Sequence, residues 1–442
     1  FRLVREALSE REVLLGMAPH VIRPARILLP VMPGRRSPVM LRLGLLLYDM
    51  LGARRRLPRS RTVDLTHHRL GQPLKRFVRL GFEYSDCVVD DSRLVVLNAL
   101  DAAERGAVIR TRTRCIRAER RQEWELVLNA HGRRQVTTAR VLVNAAGPWI
   151  GEVAETVIRK PLPAPVRLVK GSHIVVRRRY EHRDGYLLQA ADGRVVFVLP
   201  FGDDFSLIGT TDENFVGDLN TPTPSGAEIL YLCDTVNEYF RERISPDEPV
   251  WSFAGVRALY DDGHNKPEDI TRDYVLTLDT AFREAPLLTV YGGKITTHRK
   301  LAEAAMARIG PFFQSRPAWT AAAPLPGGEF PPDDFGAVVA SALERWPFLS
   351  EPHAKRLVGA YGRRLERILG DAQCMDDLGD RFTADLTAAE LRYLAENEWA
   401  QTADDVLWRR SKLGLHATAD ESAAIGRFMT SLIGEGRPQG TR

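Results

Sequence analysis

The chain has 442 residues, 44% hydrophobic and 27% charged, with a formal net charge of +5 and an isoelectric point near 9.0. That length allows about two to three domains, and the composition excludes a disordered or fibrous chain. No run approaches the ~18 apolar residues of a spanning helix, so any membrane contact is peripheral. Four scattered cysteines without a C-x-x-C exclude a disulfide framework and a zinc site.

Residues 2–17 read as a helix with Val4, Leu8 and Leu15 on one face, stopped by Ala18-Pro19. No secretory pattern precedes it, and an opening at Phe1 in mid-helix suggests a fragment whose upstream part is absent. Residues 1–75 read as helices joined by basic, proline-containing connections. Arginines cluster at 35–36, 54–56, 59, 61 and 177–179. Between the first clusters, Val39, Met40, Leu43, Leu46, Leu47, Met50 and Leu51 give a helix an apolar side. Two readings stand: a helix lying in a membrane interface, or a packed helix with solvated cations.

From 80 to 150, strand and helix patterns alternate. A short strand at 87–89 leads to Asp90-Asp91, a helix cap, then a helix to Glu104 ended by Gly106. Strands are expected at 107–117 and 124–129. Residues 141–144 form a buried strand running into Ala145, Ala146 and Gly147, the small residues that let a nucleotide approach the carboxyl end of a parallel sheet. The next block is antiparallel: strands at 173–176, 186–188, 195–199 and 205–209, with Asp192-Gly193 as a hairpin turn. Residues 225–243 are helical.

Residues 251–300 are the most informative. Arg257, Arg272 and Lys294 lie near a Gly292-Gly293 turn between the apolar strand 287–290 and a helix bearing Leu301, Ala305 and Ile309. A strand, a Gly-Gly turn and a bare helix N-terminus over Lys294, Ile295, Thr296 and Thr297 favour an anion. Residues 317–332 read as a linker and 333–442 as helices. No G-x-G-x-x-G follows a strand. The fold class is therefore α/β: a truncated nucleotide-type domain (1–160 and 251–316), an inserted antiparallel sheet (161–250) and an all-α C-terminal domain.

Nine segments, in this order, carry a family resemblance: V-R-E-A-L-S-E-R-E-V-L-L (4–15), G-F-E-Y-S-D-C-V-V-D-D-S-R-L-V (81–95), V-N-A-A-G-P-W (143–149), K-G-S-H-I-V-V (170–176), I-G-T-T-D (208–212), F-A-G-V-R (253–257), I-T-R-D-Y (270–274), Y-G-G-K-I-T-T-H-R-K-L-A-E (291–303) and D-D-V-L-W-R-R (404–410). Together they resemble the FAD-dependent, quinone-linked glycerol-3-phosphate dehydrogenases. The resemblance implies an FAD-binding Rossmann-like fold of the glutathione-reductase/D-amino-acid-oxidase type, lacking its N-terminal βαβ. It implies oxidation of sn-glycerol 3-phosphate to dihydroxyacetone phosphate, electrons passing through FAD to quinone, and peripheral attachment to membrane lipid at the cytoplasmic face. The family's dinucleotide fingerprint would lie upstream of Phe1, so this polypeptide alone is expected to bind FAD poorly or not at all. His298 stands where the family pattern leads one to expect Tyr.

By the same resemblance, Arg257 grips the substrate phosphate through its planar fork. Lys294 lies near the flavin ring or the phosphate, and Arg272 is a second cation for the substrate. Thr210 and Thr211, with Asp212, line the cavity by hydrogen bonding. Ala145, Ala146 and Gly147 sit against the phosphate–ribose side of FAD, with 292–297 also on the cofactor. The general base is His173, or a group from the upstream segment. An oxygen-using oxidase on the same fold is the near rival, and a non-catalytic lipid-binding module the distant one. Nucleic acid is not expected, because the arginine clusters lack interleaved aromatics. Oligomeric state stays open, a homodimer being one option.

Overall fold

The computed structural model describes residues 2–52, 56–261, 273–314 and 316–434. Arg54, Arg55 and Arg272 lie outside them. Two compact units emerge: the first is residues 1–11, 25–86 and 112–318, the second 12–24, 87–111 and 319–442.

The elements run α1 (Arg2–Met17), β1 (Ile22–Pro30), α2 (Pro38–Leu51), β2 (Arg61–Asp64), β3 (Leu80–Val89), α3 (Asp91–Glu104), β4 (Thr113–Arg120), β5 (Trp124–Ala130), β6 (Arg133–Ala139) and β7 (Leu142–Asn144). They continue through α4 (Ile150–Glu152), β8 (Val166–Arg177), β9 (Gly185–Gln189), β10 (Val195–Phe201), β11 (Phe205–Gly209), β12 (Glu213–Asn214), α5 (Gly226–Tyr239), β13 (Trp251–Tyr260), β14 (Val275–Asp279), β15 (Leu287–Tyr291) and α6 (His298–Ile309). The C-terminal helices are α7 (Phe335–Arg345), α8 (Glu351–Tyr361), α9 (Glu366–Leu369), α10 (Ala388–Asn397), α11 (Ala403–Arg409) and α12 (Ala419–Gly434).

In the first unit, the described residues build a nine-stranded sheet ordered β12-β8-β11-β10-β9-β1-β3-β2, with β13 also pairing β8. The β9–β10 hairpin forms around Asp192-Gly193, where Gly193 takes φ 88°. One face carries Ile174, Val176, Tyr186, Leu188, Val196, Val198 and Ile208, all buried against Leu232, Cys233 and Val236 of α5. Two three-stranded sheets complete the unit, β14-β15-β7 and β4-β5-β6. In the first of these, β15 and β7 run parallel, pairing Leu287 with Leu142 and Thr289 with Asn144.

Two local readings differ from the structure, and one strand was not read from the sequence. Residues 1–75 are not all helical: β1 and β2 lie within them. In β1 the buried Ile27, Leu28 and Leu29 follow Arg23, Pro24 and Arg26, so no strand-like alternation shows in the sequence. The strand expected at 107–117 is β4, shifted to Thr113–Arg120, and β6, mostly polar and exposed, has only Val136 and Ala139 as apolar residues and shows no strand-like alternation.

The second unit is α-helical around one core of Val339, Trp346, Leu357, Val358, Tyr361, Leu391, Leu394, Val406, Ile425 and Met429. Asp90 caps α3 by accepting from the Arg93 N–H, as the sequence signal implies. The Arg93 side chain then enters the interior. It makes a two-pronged ion pair with Glu398, with side chains 2% and 0% exposed, donates to the Ala360 carbonyl at 3.0 Å, and lies over the Tyr361 ring. A buried charge keeps its place only when paired. We expect Glu398→Ala to destabilise the C-terminal unit by about 3–5 kcal/mol, because Arg93 is left uncompensated. Denaturant unfolding followed by C-terminal tryptophan fluorescence would measure it; a loss no larger than that of an exposed Glu would contradict the account.

Candidate functional site

Strand alternation separates the residues of β8. Ser172 and Ile174 point to α5, whereas Gly171 and His173 occupy the other face. Across β8, the antiparallel register sets Phe253 of β13 opposite His173 and Gly255 opposite Gly171, and Gly209 of β11 also pairs with His173. This second face is therefore lined by His173, Phe253 and three glycines, with Arg257 one step further along β13.

The glycines are needed here for space. A Cβ on Gly209 would sit 2.0 Å from the His173 ring, and one on Gly171 would sit 2.6 Å from Nη2 of Arg257 and 2.7 Å from Oγ1 of Thr210. Arg257 thus lies over the bare Gly171 backbone, beside Thr210. Its Nη1 donates to Oδ1 of Asp212 at 2.8 Å. Held in this orientation, the planar guanidinium suits a phosphate or carboxylate.

His173 stacks face to face on Phe253 at 5.0 Å, and its Nδ1 is buried without a hydrogen-bond partner among the described residues. Burial first, and the nearby Arg257 charge second, push its pKa down from the ordinary 6.5 to about 4. It is a neutral imidazole at pH 7, next to a cation.

A second group of residues assembles at the carboxyl ends of β7 and β15. Because these strands are parallel neighbours, the Ala145-Ala146-Gly147 turn and the Gly292-Gly293 turn leave the same edge. Asn144 pins the first: its Nδ2 donates to the Ile150 carbonyl at 3.0 Å and its Oδ1 accepts from the Ala146 N–H at 3.4 Å. Gly147, Gly292 and Gly293 have φ of 55°, 63° and 102°. A Cβ on Gly293 would also lie 2.7 Å from Leu301. Ala145, Gly147, Gly293, Lys294, Ile295 and Thr296 are exposed, while Thr297 is buried. The Thr297 N–H bonds back to the Lys294 carbonyl at 3.0 Å, and His298 Nδ1 meets the Ile295 carbonyl at 2.8 Å, which closes the tight turn leading into α6. Ile150, Ala258 and Tyr291 share one apolar cluster, so β13 packs at this same edge. The small, exposed, positive-φ turns at a parallel sheet edge fit the phosphate-bearing part of a dinucleotide cofactor.

The structure thus brings together His173, Arg257 and Thr210, and separately the 145–147 and 292–297 turns. Thr211 does not face the Arg257 side: it is 1% exposed and donates to Glu228 of α5 at 2.8 Å. A cavity of about 450 Å³ lined by Lys170, Arg194, Glu228 and Tyr231 is likewise on the α5 side. Phe253, Gly209 and Glu228 were not singled out from sequence.

Residues 1–299 match the family described as FAD dependent oxidoreductase, and residues 318–434 match the C-terminal domain of alpha-glycerophosphate oxidase. The chain is 46% identical over 434 residues to a glycerol-3-phosphate dehydrogenase of Pseudomonas aeruginosa, covering 98% of this chain and 84% of that protein. It is 45% identical to a D-erythritol 1-phosphate dehydrogenase of Brucella abortus, covering 96% and 85%. In fold it is similar to the glycerol-3-phosphate dehydrogenase of Bacillus halodurans solved with FAD, at a TM-score of 0.73 and 23% identity, covering 96% of this chain and 84% of that one.

Burial also holds two histidines outside this face below their ordinary range, His182 at about 4 and His20 at about 3. With His173, all three have folded pKa values below the unfolded one. The stability they carry is complete above pH ~6.5 and is lost as pH falls through about 4. Thermal unfolding should show Tm dropping between pH 6.5 and 4.5, and His173→Gln should make the drop shallower. An identical slope in parent and variant would remove His173 from this account.

Proposed function

Because the chain belongs to the family of FAD dependent oxidoreductases, we propose that the His173–Arg257 face is where it oxidises sn-glycerol 3-phosphate to dihydroxyacetone phosphate. The observation that carries this reading is Arg257, seated over Gly171 and oriented by Asp212. Glycerol 3-phosphate and D-erythritol 1-phosphate, named in the two relatives, both end in a phosphate monoester on a hydroxylated carbon chain. A planar cationic fork is the natural partner for that shared end.

FAD supplies the acceptor for the hydride from C2. The 145–147 turn allows close approach of its phosphate–ribose part, and the 292–297 turn directs backbone N–H groups and Lys294 towards it. Arg257 binds the phosphate and Thr210 adds a hydroxyl at the same place. His173 takes the C2 hydroxyl proton. Burial depresses His173 most and the Arg257 charge adds to it, so a dianion on Arg257 would offset that second part of the depression.

The electrons go on to quinone, and α2 supports this part of the reading. No residue of α2 is buried. Tyr48, Asp49 and Arg42 tie it down: Tyr48 accepts from Arg11 at 2.6 Å, Asp49 from the Ser60 N–H at 2.9 Å, and Arg42 donates to Ser60 at 2.9 Å. Val39, Met40, Leu43, Leu46, Leu47 and Met50 are all exposed, Met50 by 82%. An apolar stripe turned outward beside Arg36 and Arg59 fits the interface of a lipid bilayer, where a quinone dissolves. No described helix is long and apolar enough to cross a membrane. The match of residues 318–434 to an oxidase domain favours oxygen as the second acceptor to consider. Anaerobic dye or quinone reduction against peroxide formation in air separates the two.

Arg257→Ala should lower kcat/KM for glycerol 3-phosphate by roughly 30- to 150-fold, the loss of a charge-assisted contact worth on the order of 2–3 kcal/mol. FAD content should stay normal, Arg257→Lys should recover only part, and the weak oxidation of glycerol should hardly change. Equal losses on both substrates would remove Arg257 from the phosphate. For the membrane, Leu43→Glu with Met50→Glu should abolish co-sedimentation with anionic phospholipid vesicles at low salt while dye-linked activity remains. Vesicle binding that survives both changes would exclude α2 as the contact.

A further inference from the structure

We propose that Glu228, on the reverse side of the sheet, is the positioning residue that sets the Arg257 phosphate site through Ser172 and Thr211. The inference rests on the assignment of Arg257 to the substrate phosphate.

Glu228 is 5% exposed, yet five donors converge on its two oxygens. Oε1 accepts from Ser172 Oγ and from Thr211 Oγ1, each at 2.8 Å. Oε2 accepts from the Ser225 N–H at 2.8 Å, from Ser225 Oγ at 3.0 Å and from Lys170 Nζ at 2.8 Å. Thr211 Oγ1 in turn accepts from the Ser172 N–H at 3.0 Å, so Ser172, Thr211 and Glu228 close a ring. One side of that ring is strand β8; another is the segment leaving β11; the third is α5.

The ring matters because of what flanks it. Ser172 lies between Gly171 and His173, and Thr211 lies between Thr210 and Asp212. Alternation along β8 sends Gly171 and His173 towards the Arg257 face, and Thr210 and Asp212, beyond the end of β11, meet Arg257 there by their own contacts. Gly171 forms the floor under the guanidinium, Thr210 stands beside it, Asp212 orients it, and His173 is the proton acceptor. The spacing between β8 and the 210–212 segment is thus fixed from behind by one carboxylate. Nothing in the capping of α5 alone demands this: Ser225 and Glu228 close a capping box by themselves, whereas the bonds to Ser172 and Thr211 are additional. Burial works to raise the Glu228 pKa, but Lys170, Ser225, Ser172 and Thr211 outweigh it and hold the group at about 2, so it is ionised wherever the enzyme works.

The test is Glu228→Gln in the FAD-loaded enzyme. The amide keeps the size but has one acceptor oxygen, so an NH₂ must face either the Ser172–Thr211 pair or the Ser225–Lys170 pair. KM for glycerol 3-phosphate should rise about tenfold, within the ~100-fold that a 1 Å misplacement can cost. Competitive inhibition by inorganic phosphate should weaken in parallel, while kcat, flavin content and the kinetics with glycerol change little. Thr211→Val should give a smaller rise of the same kind, and Thr211→Ser less than half of that. The adjacent polar cavity can admit water to the altered site, which favours folding of these variants. Equal losses with glycerol and glycerol 3-phosphate, or an unchanged phosphate inhibition constant, would overturn the positioning role. If Arg257→Ala acts selectively on the phosphorylated substrate and Glu228→Gln does not, only this inference fails. If Arg257→Ala is itself unselective, the phosphate assignment falls and takes this inference with it.

Discussion

The two faces of β8 impose the constraint on which the rest of the first unit depends. A strand must present alternate residues to opposite sides, and here one side is already committed. Ile174 and Val176 are fully buried against α5, so their register cannot slip without exposing a core. Once those two are fixed, Gly171 and His173 have no choice of side. β13 and β11 then inherit the same division through pairing, which puts Phe253 and Gly209 around the His173 ring and brings Arg257 over Gly171. A hydrophobic demand on one surface thereby places polar chemistry on the other. The glycines are the price of it: any side chain at 171 or 209 would collide with the residues the face exists to display.

Charge follows a consistent rule in both units. Where it goes inside, it goes in pairs: Arg93 with Glu398, and Arg299 with Glu10, whose side chains are 5% and 2% exposed. Such pairs add little net stability over an apolar core but penalise any arrangement that separates them. They therefore act on specificity, each joining segments hundreds of residues apart in sequence. At the Arg257 face the logic is different. There the cation is a third exposed and the histidine next to it is neutral. An incoming dianion would find one partner already charged and oriented, and a second that becomes more basic as the first is neutralised. In the proposed reading, binding and proton acceptance would be coupled through the same few ångströms of low-dielectric space.

The elements legible in sequence were those with a local cause. Asp192-Gly193 determines a hairpin, Asp90 starts a helix, and Gly292-Gly293 demands positive φ. These are interactions between near neighbours, and the residue types announce them. The family was legible for a different reason, since many short strings in fixed order are specific even when each is not. β1 and β6 were not legible, because a strand whose first half is broken by arginine and proline, or one that is mostly polar and exposed, is defined by its partners. Nor was the second unit's recruitment of residues 12–24 and 87–111. Arg93 and Glu398 stand 305 positions apart, and no periodicity relates them. Glu228 shows the same limit at the site. As the third residue of α5 it looks like an ordinary capping-box glutamate, and only the fold reveals that Ser172 and Thr211 also end on it.

Helix α2 inverts the usual arrangement, and that inversion links the fold to its surroundings. A surface helix of a water-soluble protein buries its apolar stripe and wets its polar one. Here Arg42, Tyr48 and Asp49 face the protein and are satisfied by Ser60 and Arg11, while six large apolar side chains face out. In water the stripe gains nothing from folding. In a lipid interface each side chain that becomes fully buried would contribute about 1.5–3 kcal/mol, so even partial immersion of six outweighs the modest affinity of surface arginines for anionic headgroups. The inward polar contacts matter as much as the outward apolar ones. They hold the stripe facing away from the protein, so a membrane docking there would meet a preformed surface without further ordering. Under the proposed transfer of electrons to quinone, such a surface, fixed in orientation, would bring the enzyme to the phase in which that carrier dissolves.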